Sequence, residues 1–130
     1  MDNGTITTNS IRTLSVQETS LVTDYGLDAL SAILHETAIE KGFWEGPRNY
    51  DQIGNKLALV HSEVTEVLEA IRKNKGSQEI VEEIADILIR TLDLYAAMRN
   101  ATFVEHSLDE ILFNKIEKNK VRPKLHGNLF

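Results

Sequence analysis

The sequence predicts an all-α fold, an antiparallel bundle of about four helices, and three observations carry that prediction. Leu57, Val60, Val64, Val67 and Ile71 recur at alternating spacings of three and four, and so do Ile80, Ile84, Ile87, Thr91, Leu94 and Met98. Each series is one face of a helix. Only two prolines and seven glycines interrupt 130 residues, which leaves room for long helices. Start and stop residues stand at the ends of the periodic runs. The length suits one domain, able to bury a core and more so in an oligomer.

In chain order, residues 1–23 are rich in Thr, Ser and Asn and show no sustained apolar period. They read as a loose N-terminal arm with a short extended piece near Ile11-Arg12-Thr13-Leu14, ahead of a domain over 24–130. The first helix is expected over 27–41, with Leu27, Leu30, Ile33, Leu34 and Ala38 as its apolar stripe and Gly42 as its terminator. His35 lies near that stripe, where a lone histidine is more often packed than a ligand. The loop Phe43-Trp44-Glu45-Gly46-Pro47-Arg48-Asn49-Tyr50 holds three aromatic side chains, including the only Trp. It is either a hydrophobic plug between helices or a pocket wall that stacks on a base.

Asn49 or Asp51 is expected to cap a second helix over 52–73. Gly76 ends the reversal, and Ser77 caps a third helix that reaches 99 or 100. This third helix is apolar nearly all round, with Ala85, Leu88, Ile89, Leu92 and Tyr95 outside its seam, so burial on several sides is expected. Ser107-Leu108-Asp109-Glu110 has the capping-box pattern for a fourth helix, which runs to about 121 and stops before Pro123. Along one stripe this helix turns from Leu108 and Leu112 to Lys115, Asn119 and Arg122. Such a basic end complements the helix dipole, or it clamps polyphosphate when a metal lies opposite.

The chemistry concentrates in Glu63-Val64-Thr65-Glu66 and Glu83-Ile84-Ala85-Asp86. Each places two carboxylates three residues apart, on one helix face. If the helices fold back at Asn74-Lys75-Gly76-Ser77, Glu66 comes level with Glu83, and Glu63 with Asp86. Two like charges ~5 Å apart at an effective dielectric of ~20 repel by roughly 3 kcal/mol, so four such groups call for protonation or a cation. Carboxylate oxygens without His or Cys suit hard ions, Mg²⁺ first and Mn²⁺ second. Solvated acids at a bundle edge are the competing reading.

Composition narrows the function. A net charge of −6 argues against a general nucleic-acid binder. Absence of Cys removes disulfide, zinc-thiolate and thiol-nucleophile chemistry. No apolar run approaches a membrane span and no signal peptide is visible, so a cytoplasmic protein without membrane contact is expected. A di-iron bundle would want Glu-x-x-His pairs, which neither signature has. No P-loop, Gly-rich dinucleotide fingerprint or G-x-S-x-G is present. Metal-assisted attack of water on a phosphoanhydride uses every part seen.

Glu63-x-x-Glu66, sixteen intervening residues and Glu83-x-x-Asp86 resemble the signature of the all-α nucleoside triphosphate pyrophosphohydrolases. Lys41-Gly42-Phe43-Trp44, Pro47-Arg48-Asn49, the run from Lys56 to Glu63, and Asn119-x-x-Arg122-Pro123 are similar to the small single-domain MazG-like proteins of phages and bacteria. The resemblance implies Mg²⁺-dependent hydrolysis of a (d)NTP to the monophosphate and pyrophosphate. It implies Glu63, Glu66, Glu83 and Asp86 as metal ligands, Glu63 as the base, and Lys115, Asn119 and Arg122 as phosphate contacts. Trp44, Asn49 and His35 are the base-contact candidates, and some phage members prefer purine deoxynucleotides such as dGTP. A homodimer or homotetramer is implied, in bacterial or phage-host cytoplasm. The alternatives are a dUTPase or phosphoribosyl-ATP pyrophosphohydrolase of the same superfamily, or a non-catalytic helical interaction module.

Overall fold

The computed structural model describes residues 26–129. The expected N-terminal arm, with its extended piece near 11–14, lies outside the described residues. Four α-helices follow in order: α1 (Gly26–Glu40), α2 (Tyr50–Arg72), α3 (Ser77–Asn100) and α4 (Leu108–Val121), then a 3-10 turn over Lys124–Gly127. No strand forms among the described residues, and no helix there is long and apolar enough to cross a membrane.

Helix ends follow local chemistry. Asn49 caps α2 by accepting from the Gln52 amide at 2.9 Å, and Ser107 caps α4 by accepting from the Glu110 amide at 3.3 Å. Three helices close with one left-handed residue, which lets two amides return to the last turn. Gly42 does this for α1 at φ 82°, Asn74 for α2 at φ 52° and Thr102 for α3 at φ 62°. The α2–α3 reversal therefore turns on Asn74, whose Lys75 neighbour donates to the Ala70 carbonyl at 2.9 Å. Gly76 is the N-cap of α3 and Ser77 its first helical residue, with no side-chain cap bond. This corrects the expected role of Ser77: an Asn in the turn already reverses the chain, so the cap falls one residue earlier.

α3 is the central helix, packed against α2 and against α1, while α4 packs on α1 and meets α3 where the Leu108 amide donates to the Tyr95 hydroxyl at 2.9 Å. The tightest core lies near the C-terminal end of α3, where Trp44, Ile53, Leu94 and Ala97 meet, backed by Ala38, Met98 and Phe103. Toward the α2–α3 reversal the same seams surface. Leu57, Val64 and Ile71 of the α2 seam and Ile84 of the α3 seam are exposed, and so are Val81 and Leu88 beside the latter. The expected all-round burial of α3 thus holds only from Leu92 to Ala97 within one chain. Periodicity marks a face as apolar; it does not say which neighbour covers it.

A reciprocal clasp holds α4 to α1. The Leu27 and Asp28 amides donate to the Asp109 carboxylate at 2.8 and 3.0 Å. In return the Leu108 and Asp109 amides donate to Asp28, and so does the Ser107 hydroxyl. Each aspartate neutralises the positive end of the other helix.

Candidate functional site

The antiparallel hairpin of α2 and α3 brings two of its acidic signatures together. One carboxylate oxygen each from Glu63, Glu83 and Asp86 lies within 4.8 Å of the others. Glu63 is buried at 9 % exposure, and Arg90 from α3 donates its Nε to Glu63 Oε1. Glu66 is exposed and falls outside this group, although its charge acts on Glu83. Loss of solvent, then the charges of Asp86, Glu66 and Glu63, push the Glu83 carboxyl up, against the pull of Lys75. Asp86 is likewise pushed up, by desolvation first and then by Glu63 and Glu82, with Arg90 opposing. The cluster therefore favours added positive charge, as a proton or a cation. Its all-oxygen donor set fits a hard divalent ion.

A cavity of about 290 Å³ opens beside these acids. Glu63 and Asp86 line one part of it, and Asp93 stands about two turns further along α3, roughly 10 Å by helical rise. Lys41, Lys56 and Arg90 supply its cations, and Leu34, Phe43, Leu59 and Ile89 its apolar wall. Charged groups and an apolar wall in one cavity suit a ligand that is part polyphosphate, part ring.

Behind the wall lies a buried polar network. His35 and Trp44 are 3 % and 5 % exposed. His35 Nδ1 lies 2.7 Å from Asp93 Oδ1, and Trp44 Nε1 donates to both Asp93 oxygens at 2.9 Å. A carboxylate only accepts, so the Nδ1 of His35 carries the shared proton. The imidazole meets the indole edge-on at 5.2 Å. Arg48 and Lys56 sit 4.7 and 4.5 Å from the indole centroid. Burial pulls the Lys56 ammonium down, and Arg90 and Arg48 add to this against Asp93.

The candidate base contacts therefore take these places: His35 and Trp44 hold Asp93 from behind, and Asn49 caps α2. Of the loop's two readings, the plug describes the position of Trp44; Phe43, 62 % exposed, is the aromatic that lines the cavity. Lys115 and Asn119 on α4 and Arg122 at its C-terminal cap are exposed, and none lines the cavity. Lys56 and Phe43 line the cavity without the sequence having marked them as site residues, and Arg90 and Asp93 were marked only as part of a polar stripe, with no role assigned. Arg90 and Asp93 did stand in the polar stripe of an apolar helix, one and nearly two turns beyond Asp86, and that was the available signal.

The model of the MazG nucleotide pyrophosphohydrolase domain matches residues 53–125, more than half of the chain. The chain belongs to the MazG family. No curated protein and no solved structure gives a match. The MazG match begins in the first turn of α2 and runs through α3 and α4, so it contains the whole carboxylate cluster. α1 and the Trp44 loop, which close the cavity and hold Asp93, precede it.

Proposed function

We propose that this MazG-family chain hydrolyses a nucleoside triphosphate to the monophosphate and pyrophosphate with Mg²⁺, or Mn²⁺ in its place. The observation that carries the reading is the meeting of Glu63, Glu83 and Asp86, of which Glu63 and Asp86 line a cavity that also holds cations and an apolar wall. Bound there, a divalent ion would neutralise phosphate oxygens and acidify a water. Glu63, Glu83 and Asp86 would hold it, with Glu66 at the rim. Water adds to the α-phosphorus, the bond to the α,β-bridging oxygen breaks, and pyrophosphate leaves with that electron pair. A carboxylate takes the water's proton, and Glu63 is the one this reading assigns.

Phe43 offers a stacking face for the base, and the Asp93 carboxylate an acceptor at the cavity wall. An acceptor there favours a base that presents N–H groups side by side, as guanine does, which supports a dGTP preference. The exposed apolar residues of α2 and α3 support a homodimer or homotetramer. In such an assembly Lys115, Asn119 and Arg122 of another copy would reach the phosphates.

A panel of nucleotides with Mg²⁺, including dGTP, dUTP and phosphoribosyl-ATP, tests the reading, with monophosphate, pyrophosphate and orthophosphate resolved separately. Monophosphate with intact pyrophosphate is expected, fastest with dGTP. Orthophosphate with diphosphate would overturn the site of attack. No turnover with either metal, and no rise of Tm on adding them, would leave the helical interaction module.

A further inference from the structure

Arg90 is the one basic side chain hydrogen-bonded to the carboxylate cluster among the described residues. It lies one turn beyond Asp86 on α3 and reaches across to Glu63 on α2. Its Nε alone makes that bond. A guanidinium carries five N–H donors, so four remain on the two terminal nitrogens. None of them meets an acceptor among the described residues. The side chain is 41 % exposed, and it lines the cavity between Asp86 and Asp93.

The other cations are placed differently. Lys56 gives its ammonium to the Phe43 carbonyl and lies over the Trp44 ring. Lys41, just beyond the end of α1, lines the same cavity but makes no ion pair with the acids among the described residues. Arg90 therefore joins the acids to the cavity, with one edge on a carboxylate and the rest of the fork open. That fork matches phosphate oxygens in a plane, which a point-charge ammonium does not.

We propose that Arg90 is a direct phosphate-binding residue of this site, supplied by the same chain as the carboxylates. Its terminal nitrogens take the oxygens of a polyphosphate, while its Nε edge stays against Glu63. This rests on the proposed pyrophosphohydrolase reading and deepens it. It differs from a bracing role, in which Arg90 merely ties α2 to α3 or orients Glu63.

The test is calorimetric binding to the full chain, first of Mn²⁺ alone and then of inorganic tripolyphosphate at saturating Mn²⁺. Arg90→Gln should keep its Mn²⁺ affinity within about threefold, because Glu63 stays available once its cationic neighbour is gone. It should lose tripolyphosphate affinity by about tenfold or more, the scale of one charge-assisted hydrogen bond. Arg90→Lys, with the charge but not the fork, should recover part of that loss. Circular dichroism checks that both variants stay helical, and Arg90→Lys stands alone if Arg90→Gln does not. Tripolyphosphate affinity equal to wild type in either variant would overturn the proposal. A loss that only tracks an equal loss of Mn²⁺ affinity would also overturn it, in favour of bracing. Wild type that binds no Mn²⁺ would instead sink the metal-dependent reading, and this proposal with it.

Discussion

Asp93 offers the sharpest test of how the cavity wall is held. Its carboxylate takes three short contacts, from His35 at 2.7 Å and from Trp44 twice at 2.9 Å. Both donors are within 5 % of full burial. Asp93→Ala leaves both without an acceptor, and each orphaned buried donor costs about 1–3 kcal/mol. The substitution also removes the cost of desolvating a carboxylate whose side chain is only 14 % exposed. The lower half of the summed range is expected, about 3 kcal/mol, from a total stability of about 5–15 kcal/mol. For a domain of this size that lowers Tm by about 10 °C. Asp93→Asn keeps the Oδ1 position that takes both His35 and Trp44, loses only the second Trp44 contact and the charge, and should lose less than half as much. Thermal melting followed by circular dichroism is the assay. A fall of less than about 3 °C for Asp93→Ala, with normal helicity, would refute the reasoning: the network would then be ornamental rather than the support of the wall.

Two further expectations concern the ends of the structure. Burial acts to raise the Asp28 carboxyl, but hydrogen bonds from Ser107, the Asp109 and Leu108 amides and Tyr95 outweigh it and hold it below 3.8. The folded chain thus favours the ionised form, so this stabilisation is complete above the unfolded value and is lost as pH falls through the lower folded one. Acid melting curves should show Asp28→Asn less stable by about 1–2 kcal/mol at neutral pH and converging on wild type well below pH ~4; parallel curves would remove Asp28 from the clasp. If the proposed oligomer forms through the exposed α2–α3 face, Leu68→Glu together with Leu88→Glu should reduce it to monomers without loss of helicity, read by light scattering. An unchanged mass would place the subunit contact elsewhere.

Much of the architecture was legible because its causes are local. Seams of Leu57 to Ile71 and Ile80 to Met98 announce helix faces whatever covers them, and Asn49, Ser107, Gly42 and Pro123 act on their own turns. The site was half legible for the same reason. Carboxylates three residues apart share a helix face, and a four-residue reversal makes two such faces meet. Counting residues from the turn put Glu66 level with Glu83 and Glu63 level with Asp86, so that all four could converge; the structure groups Glu63, Glu83 and Asp86 and leaves Glu66 outside. Register counting treats helices as parallel rods, whereas the crossing of α2 and α3 and each side chain's rotamer decide which oxygens converge.

By itself, then, the sequence determined the all-α class, the helices and most of their caps, and the acidic pairs that fall within the segment matching the MazG family. Only the tertiary structure decided that Arg90 reaches Glu63, that Asp93 is gripped by His35 and Trp44 from outside the matched segment, and that α4 hangs on α1 through two exchanged aspartates. Those contacts join residues 27, 58, 49 and about 80 positions apart. No periodicity or local motif encodes such pairs, because they depend on how whole helices pack.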